Sequence, residues 1–177
     1  MHLFEPFFPD EIHDSTYEIP FGKWYEKGYR GVIFDIDNTL VPHGADADEK
    51  SIALFTKLRR IGFKTMLLSN NKEPRVKRFN QQIGSGYIYK AGKPSKRNYL
   101  KAMQEMGTDR ENTLFVGDQL FTDVWGAKRV GIYSILVKPI DPKEEIQIVL
   151  KRYLERVVLH FYRKREEQAE TFGKEKK

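Results

Sequence analysis

The ten residues from Gly31 to Leu40 constrain the fold most strongly, because a short apolar run stops there on two aspartates. The run is β-branched and aromatic, which is typical of a strand buried on both faces of a parallel sheet. Asp35 and Asp37 lie two positions apart, so their side chains point the same way wherever the strand continues. Two carboxylates at the end of a buried strand require a cation, a hydrogen-bond network or a ligand. In an open α/β sheet, ligands bind at this end of the strands.

The composition is that of one folded domain. The chain has 177 residues, 40% of them hydrophobic and 32% charged, which is enough for a substantial core. It contains no cysteine, which excludes disulfides, thiolate metal ligands and cysteine nucleophiles. The N-terminus lacks the pattern of a signal peptide, and no stretch approaches the roughly 20 apolar residues of a membrane span. We therefore expect a cytoplasmic protein, with peripheral membrane contact left open.

The formal net charge of +6 favours anionic partners: phosphorylated substrates, nucleic acid or acidic lipid surfaces. A modest positive excess also serves solubility alone, so the charge does not choose among these partners. Nucleic acid is the least favoured, because RNA-binding domains usually display aromatic stacking platforms and the sequence identifies none.

The rest of the chain alternates between strand-like and helix-like stretches, which is typical of a parallel sheet. Strands are expected at about residues 30–36, 64–68, 87–89, 113–116 and 132–137. Helices are expected at about residues 21–27, 48–60, 73–82, 95–106 and 121–130. The predicted fold class is α/β: a doubly wound, mostly parallel five-stranded sheet with helices on both faces, of Rossmann-like type. Residues 1–29 would form an otherwise irregular arm that packs on a core of residues 30–140, and residues 141–177 a C-terminal amphipathic helix with a charged tail.

Polar residues follow the second and third predicted strands. Ser69 ends the second, and its hydroxyl and the N–H of Asn70 can donate hydrogen bonds to a phosphoryl oxygen. Lys93 follows the third, where its ammonium is suited to neutralising a transferring phosphoryl group. Each has a simpler interpretation: Ser69 as part of a turn, and Lys93 as a loop lysine like Lys90 and Lys96.

The fourth strand ends in the sequence Gly117-Asp118, and Asp123 follows five residues later. Glycine allows a tight turn, and the two aspartates offer the hard oxygen ligands that Mg²⁺ prefers. The alternative is that Asp118 only caps the next helix.

These residues, in this order and each after a strand, resemble the four motifs of the haloacid dehalogenase (HAD) superfamily of phosphotransferases. The resemblance covers about residues 30–140. More narrowly, the phenylalanine-rich arm and the sequence Asp-Ile-Asp-Asn-Thr-Leu are similar to the bacterial YqeG group of HAD subfamily IIIA phosphatases. That group is similar to the mitochondrial phosphatidylglycerophosphatases.

The resemblance implies an Mg²⁺-dependent phosphatase that hydrolyses a phosphate monoester, with phosphatidylglycerophosphate as one candidate. Asp35 would attack phosphorus and form an aspartyl-phosphate, and Asp37 would act as general acid and then as general base. Asp37 also argues for phosphoryl transfer rather than dehalogenation.

The remaining roles concern the metal and the phosphoryl group. Mg²⁺ would be held by the Asp35 carboxylate, the Asp37 backbone carbonyl and Asp118, with Asp123 nearby or bound through water. The residues that would bind the phosphoryl oxygens are Ser69, Asn70 and Lys93.

The segments in which HAD enzymes carry cap domains are short here, residues 41–47 and 72–92, so no cap is expected. An open site suits a large substrate, such as a lipid head group, a nucleic-acid end or a protein, without excluding a small one. The alternative function is a catalytically idle module that binds phosphate on RNA or a partner protein, although every residue required for catalysis is present.

A C-terminal helix is expected from Pro142 to about Gln168, with its first turn formed by Lys143, Glu144 and Glu145. Its expected apolar face consists of Ile146, Val149, Leu150, Tyr153, Leu154, Val157 and Phe161, widened by Val158 and Tyr162. A basic stripe lies beside that face and comprises Arg152, Arg156 and Arg163. Either the apolar face packs on the sheet and the arginines are solvated, or the part from Val157 onward extends to an acidic membrane or a partner protein.

Overall fold

The computed structural model describes residues 2–141 and 146–174. Its strands are β1 (Glu11–His13), β2 (Gly31–Phe34), β3 (Lys64–Leu68), β4 (Gly86–Ile88), β5 (Thr113–Gly117) and β6 (Tyr133–Val137). Its α-helices are α1 (Phe21–Glu26), α2 (Glu49–Ile61), α3 (Glu73–Ile83), α4 (Lys96–Met106), α5 (Trp125–Val130) and α6 (Ile146–Lys174). Short 3₁₀ helices cover His2–Phe7 and Thr16–Glu18.

The strands form one sheet in the order β1-β6-β5-β2-β3-β4, and all neighbouring pairs are parallel. The predicted α/β class is thereby confirmed. The sheet has six strands rather than the expected five, because the arm is not irregular throughout and adds β1 beside β6. Asp10 fixes this edge: its Oδ2 accepts hydrogen bonds from the N–H and the hydroxyl of Ser134, both at 2.8 Å.

Strand β2 lies in the middle of the sheet and is buried on both faces. Val32 and Phe34 pack with α1, α2 and α3 on one face, whereas Ile33 packs with α4 and α5 on the other. This alternation follows from the two-residue period of a strand, and it explains why the whole run is apolar. The ends of β2 and its neighbour β5 therefore lie side by side in the interior.

The helix predicted at 121–130 begins with a π-helical turn, Leu120–Val124, before α5 starts at Trp125. Such wide turns leave backbone groups that need other partners. Here the Tyr99 hydroxyl donates to the Thr122 carbonyl at 2.8 Å. The turn places Asp123 inward, where its side chain is fully buried.

No cap domain occurs among the described residues, as expected. The segment between β2 and α2 is a loop, and only α3 and β4 lie between the end of β3 and the Lys93 loop. Among residues 2–141 and 146–174, none of the helices combines the length and the apolar character of a transmembrane segment.

Helix α6 packs differently from the expectation that its apolar face lies on the sheet. Val158 is buried, and Tyr162 packs edge-on against Phe8 of the arm. Phe161 stacks on Phe4 with ring centroids 5.2 Å apart. Other apolar side chains of the helix face solvent instead of the sheet: Tyr153, Leu154 and Val157.

For Tyr153, Leu154 and Val157 the predicted inward orientation is therefore wrong, because the buried side chains of α6 pack on the arm, on the π-helical turn and on Leu136 of β6. The helix start predicted at Pro142, Lys143, Glu144 and Glu145 lies outside the described residues. So do the side chains of Ile146, Val149 and Leu150.

Candidate active site

Three carboxylates meet at the carboxyl edge of the sheet. One oxygen from each of Asp35, Asp118 and Asp123 lies within 4.8 Å of the others, and all three side chains are buried. Asp35 follows β2, and Asp118 follows β5, its neighbour in the sheet. The parallel register therefore brings together residues that are far apart in the sequence.

Lys93 joins two of these carboxylates. Its Nζ lies 2.7 Å from Oδ1 of Asp35 and 2.7 Å from Oδ1 of Asp123. Asn70 holds the backbone of the loop, because its Oδ1 accepts a hydrogen bond of 2.8 Å from the Lys93 N–H. The other two lysines of this region, Lys90 and Lys96, are exposed. Geometry thus distinguishes Lys93 from its neighbours.

The buried charges shift one another's protonation. Burial raises the pKa of Asp35 to about 6, although Lys93 counteracts this, and Asp123 adds to it. Burial raises the pKa of Asp118 well above its usual range, and the charges of Asp35 and Asp123 contribute. For Lys93, burial acts to lower the pKa, but the carboxylates of Asp123 and Asp35 outweigh it and raise the pKa. The ammonium is therefore permanently charged at neutral pH.

Arg152 of α6 also reaches this cluster. Its Nη2 contacts Oδ2 of Asp118, and its Nη1 contacts the Asp118 backbone carbonyl. The same Nη1 donates to Glu155 Oε2 at 2.9 Å, and Glu155 Oε1 accepts from the Leu120 N–H at 2.8 Å. The prediction of a solvated arginine stripe is therefore wrong for Arg152. The three-residue spacing of Arg152 and Glu155 was the only sequence signal of this pair.

The Asp37 side chain does not join the carboxylate cluster. It accepts hydrogen bonds from the Gly44 N–H at 2.7 Å, from Asn71 Nδ2 at 2.5 Å and from Arg75 Nη2 at 2.9 Å. The sequence interpretation missed both Asn71 and Arg75. Between them, these donors fix both carboxylate oxygens of Asp37.

Two of the predicted phosphate-binding residues follow β3. Ser69 is buried, and its Oγ accepts a hydrogen bond from the Asn71 N–H at 3.2 Å, which leaves its own proton for donation. Asn70 is exposed, and its side chain holds the backbone of the Lys93 loop, since its Nδ2 also contacts the Lys93 carbonyl at 3.4 Å.

The charge balance fits a divalent cation. Four buried carboxylates (Asp35, Asp118, Asp123 and Glu155) surround Lys93 and the nearly buried Arg152, which leaves an excess of two negative charges when all are ionised. Carboxylate oxygens are the ligands that hard divalent cations prefer. The Asp118 Oδ1 atom is also oriented by the Thr39 hydroxyl at 3.1 Å.

Comparisons with known proteins identify the family of this chain. The haloacid dehalogenase-like hydrolase family matches residues 45–131. The probable phosphatase YqeG of Bacillus subtilis is 36% identical over 154 residues, which are 86% of this chain and 90% of that protein. The chloroplastic/mitochondrial phosphatidylglycerophosphate phosphatase 1 of Arabidopsis thaliana is 26% identical over 77% of this chain and 43% of its own.

A solved structure shows the same fold. The cobalt-bound deoxy-D-mannose-octulosonate 8-phosphate phosphatase of Haemophilus influenzae superposes with a TM-score of 0.51 at 15% identity, over 63% of this chain and 69% of that one. The sequence-based resemblance is confirmed by the fold and by the relative that matches over most of its length. The chain belongs to the haloacid dehalogenase-like hydrolase family, and the YqeG phosphatase is similar to it over nearly its whole length.

Proposed function

We propose that this hydrolase is an Mg²⁺-dependent phosphatase that cleaves a phosphate monoester through an aspartyl-phosphate on Asp35. The observation that carries the proposal is the position of Lys93, whose Nζ lies 2.7 Å from both Asp35 and Asp123. An ammonium held between a nucleophilic carboxylate and a second acid can neutralise an incoming phosphoryl group without reorganisation. The names of the relatives, which include two phosphatases, support the same reaction.

The chain's own residues would divide the work as follows. An oxygen of Asp35 attacks phosphorus and the leaving oxygen departs, so that a carboxyl-phosphate bond replaces the ester bond. Asp37 gives its proton to the leaving oxygen and later takes one from the attacking water. Ser69 and the Asn70 N–H donate to the transferring oxygens. A cation at Asp35, Asp118 and the Asp37 carbonyl, with Asp123 nearby, would offset the repulsion between an anionic nucleophile and an anionic substrate.

The described chain has no cap that could exclude water from the site during catalysis. The substrate itself or a partner must therefore exclude it. We propose a phosphate carried by a large or membrane-borne molecule. A lipid such as phosphatidylglycerophosphate is the leading candidate, because one relative is named for that activity.

The outer face of α6 supports membrane contact. Tyr153 is 65% exposed, Leu154 53% and Val157 43%, and the helix also carries the exposed cations Arg156 and Arg163. Exposed apolar residues beside cations are typical of helices that lie on acidic lipid surfaces. We propose that this face brings the enzyme to such a surface.

Activity is tested by hydrolysis of p-nitrophenyl phosphate with Mg²⁺, with EDTA and with the Asp35→Asn variant. We expect turnover that EDTA abolishes and that the nearly isosteric variant lacks. Wild-type turnover by Asp35→Asn would refute the mechanism. If the wild-type protein binds vanadate but hydrolyses no member of a panel of phospholipids, sugar phosphates and nucleotides, the idle phosphate-binding module is the correct interpretation.

Membrane contact is tested by sedimentation with liposomes that contain acidic lipid. The variant Tyr153→Ser/Leu154→Ser/Val157→Ser should lose binding. The control Leu100→Ser removes a residue that is 51% exposed on α4 and should bind like the wild type. Equal binding by all three proteins would refute this contact, and negligible binding by all three would favour a partner protein.

A further inference from the structure

A cavity lies beneath α6, where the helix passes the ends of β6 and β1. Its volume is about 320 Å³, within the range of roughly 300–1,000 Å³ found for ligand pockets. Asp118 and Arg152 form the wall that it shares with the candidate active site, whereas neither Asp35 nor Lys93 lines it. The cavity is therefore adjacent to the reaction centre but distinct from it.

Much of the lining is apolar. The side chains responsible are Ile12 of β1, Leu136 and Val137 of β6, Pro139 just after β6, and Leu159 of α6. Ile12 is 38% exposed although it belongs to the sheet. A hydrocarbon chain that covered these side chains would remove apolar surface from water, which favours binding.

The charged groups of the lining leave a positive excess. Asp118 and Glu155 are both paired with Arg152, so these carboxylates are already engaged. Lys138 pairs with Asp14 at 2.7 Å. For the two arginines further along α6, Arg156 and Arg163, the described residues place no carboxylate within ion-pair distance.

The positions of Arg156 and Arg163 indicate which kind of ligand fits the cavity. Arg156, Leu159 and Arg163 recur at intervals of three and four residues, so they share one face of α6, and the two arginines are about 10 Å apart along its axis. An inorganic anion would bind the arginines but leave the apolar side chains of the cavity in contact with water. An uncharged hydrocarbon would cover these apolar side chains but leave the arginines without a counter-charge.

We propose that this cavity binds the hydrocarbon chain of an anionic membrane lipid, with the acidic head group between Arg156 and Arg163. The exposed residues Tyr153, Leu154 and Val157 on the same helix face the lipid phase in this arrangement. The site does not depend on the proposed phosphatase activity. Most of the affinity comes from the apolar chain, and the arginines, which are exposed, supply selectivity for an acidic head group.

The test uses full-length, metal-free protein and decyl sulfate below its micellar concentration. A sulfate ester is no phosphate monoester, so turnover cannot affect the result. The readout is the methyl NMR signals of Leu136, Val137 and Leu159. We expect decyl sulfate to shift these signals at lower concentration than inorganic sulfate or decyl maltoside does. Nanodiscs of phosphatidylglycerol should shift the same signals, and nanodiscs of phosphatidylcholine should not.

The variant Arg156→Gln/Arg163→Gln should raise the Kd for decyl sulfate about three- to tenfold. The matched control is Lys164→Gln, which removes an exposed charge from α6 outside the cavity and should leave the Kd unchanged. The proposal is overturned if decyl maltoside binds as tightly, if the methyl signals do not move, if both lipids act alike, or if the control weakens binding as much as the double variant.

Discussion

The Arg152 guanidinium lies against Asp118, a carboxylate 34 positions earlier in the chain. This contact makes the C-terminal helix a wall of the candidate active site. With Glu155 it ties α6 to the loop after β5 through buried, charged hydrogen bonds.

Arg152→Gln is therefore expected to destabilise the protein. It leaves Asp118 and Glu155 buried without their cation, and removal of one partner from such a pair typically costs about 3–5 kcal/mol. Urea denaturation should show a loss of about 3 kcal/mol in the free energy of unfolding. Arg152→Lys should lose less, although an ammonium cannot reproduce the forked geometry. The exposed neighbour Arg156→Gln should stay within about 0.5 kcal/mol of the wild type, and an equal loss in both glutamine variants would contradict the contact.

Asp35→Asn should stabilise the metal-free protein at neutral pH. Burial raises the pKa of Asp35 to about 6, so the folded chain holds this proton more tightly than the unfolded chain does. The stability that comes from this proton is fully present below pH ~4 and is lost as the pH rises through about 6. An asparagine never ionises, so the variant should gain about 2–3 kcal/mol at pH 7.5 in EDTA and nothing near pH 4.

The control for this pH dependence is Asp14→Asn. Asp14 pairs with Lys138 at the surface and is 68% exposed, so its removal should change the free energy of unfolding by less than about 0.5 kcal/mol. The same pH profile for both variants would show that burial of Asp35 is not the cause.

The contact between Arg75 and Asp37 is expected to matter most for substrates with poor leaving groups. Arg75 Nη2 lies 2.9 Å from Asp37 Oδ1 and helps to orient it. If Asp37 is the general acid, Arg75→Gln should lower kcat about tenfold for an alkyl phosphate, whose alkoxide needs a proton. The effect should be smaller for p-nitrophenyl phosphate, whose phenolate leaves unprotonated.

Arg78→Gln is the matched control, because Arg78 lies on the same helix and pairs with the exposed Asp46. It should change neither rate. If Arg75→Gln lowers both rates equally, Arg75 supports the fold rather than the proton transfer.

Gly117→Ala should disturb the site through direct overlap. A Cβ at this position would lie 2.5 Å from Oδ2 and 2.6 Å from Cβ of Asp123, so the aspartate, which also contacts Lys93, must shift. We expect a loss of about 1–3 kcal/mol in thermal or urea unfolding. Gly22→Ala, where a Cβ meets no atom within 4 Å, should be neutral or stabilising. Similar stability in both variants would argue against the close packing of Asp123.

The strand ends could be predicted from sequence because a parallel sheet brings them together whatever the loops do. Asp35, Asp118 and Asp123 each follow a strand with a clear apolar pattern, and Lys93 follows a shorter one. The strand ends therefore predicted that Asp35, Asp118 and Lys93 meet, whereas the inward position of Asp123 also depends on the π-helical turn.

What the sequence did not reveal depends on tertiary contacts. Strand β1 has only three residues, too few for a two-residue period to be visible, and it is held by Asp10 and Ser134 across 124 positions. The direction in which α6 faces also cannot be read from its own periodicity. The phenylalanines of the arm, rather than the sheet, contact apolar side chains of α6 such as Tyr162. Arg152 points inward because it pairs with the buried carboxylate of Asp118.

The position of Arg152 has a consequence for how the protein is made. Chains emerge from the ribosome with the N-terminus first. The three aspartates of the site, its lysine and the whole sheet precede α6 in the chain, yet the cation that pairs with Asp118 is Arg152 of α6. Until α6 has been translated, the nascent chain therefore lacks the cation that pairs with Asp118 in the folded protein.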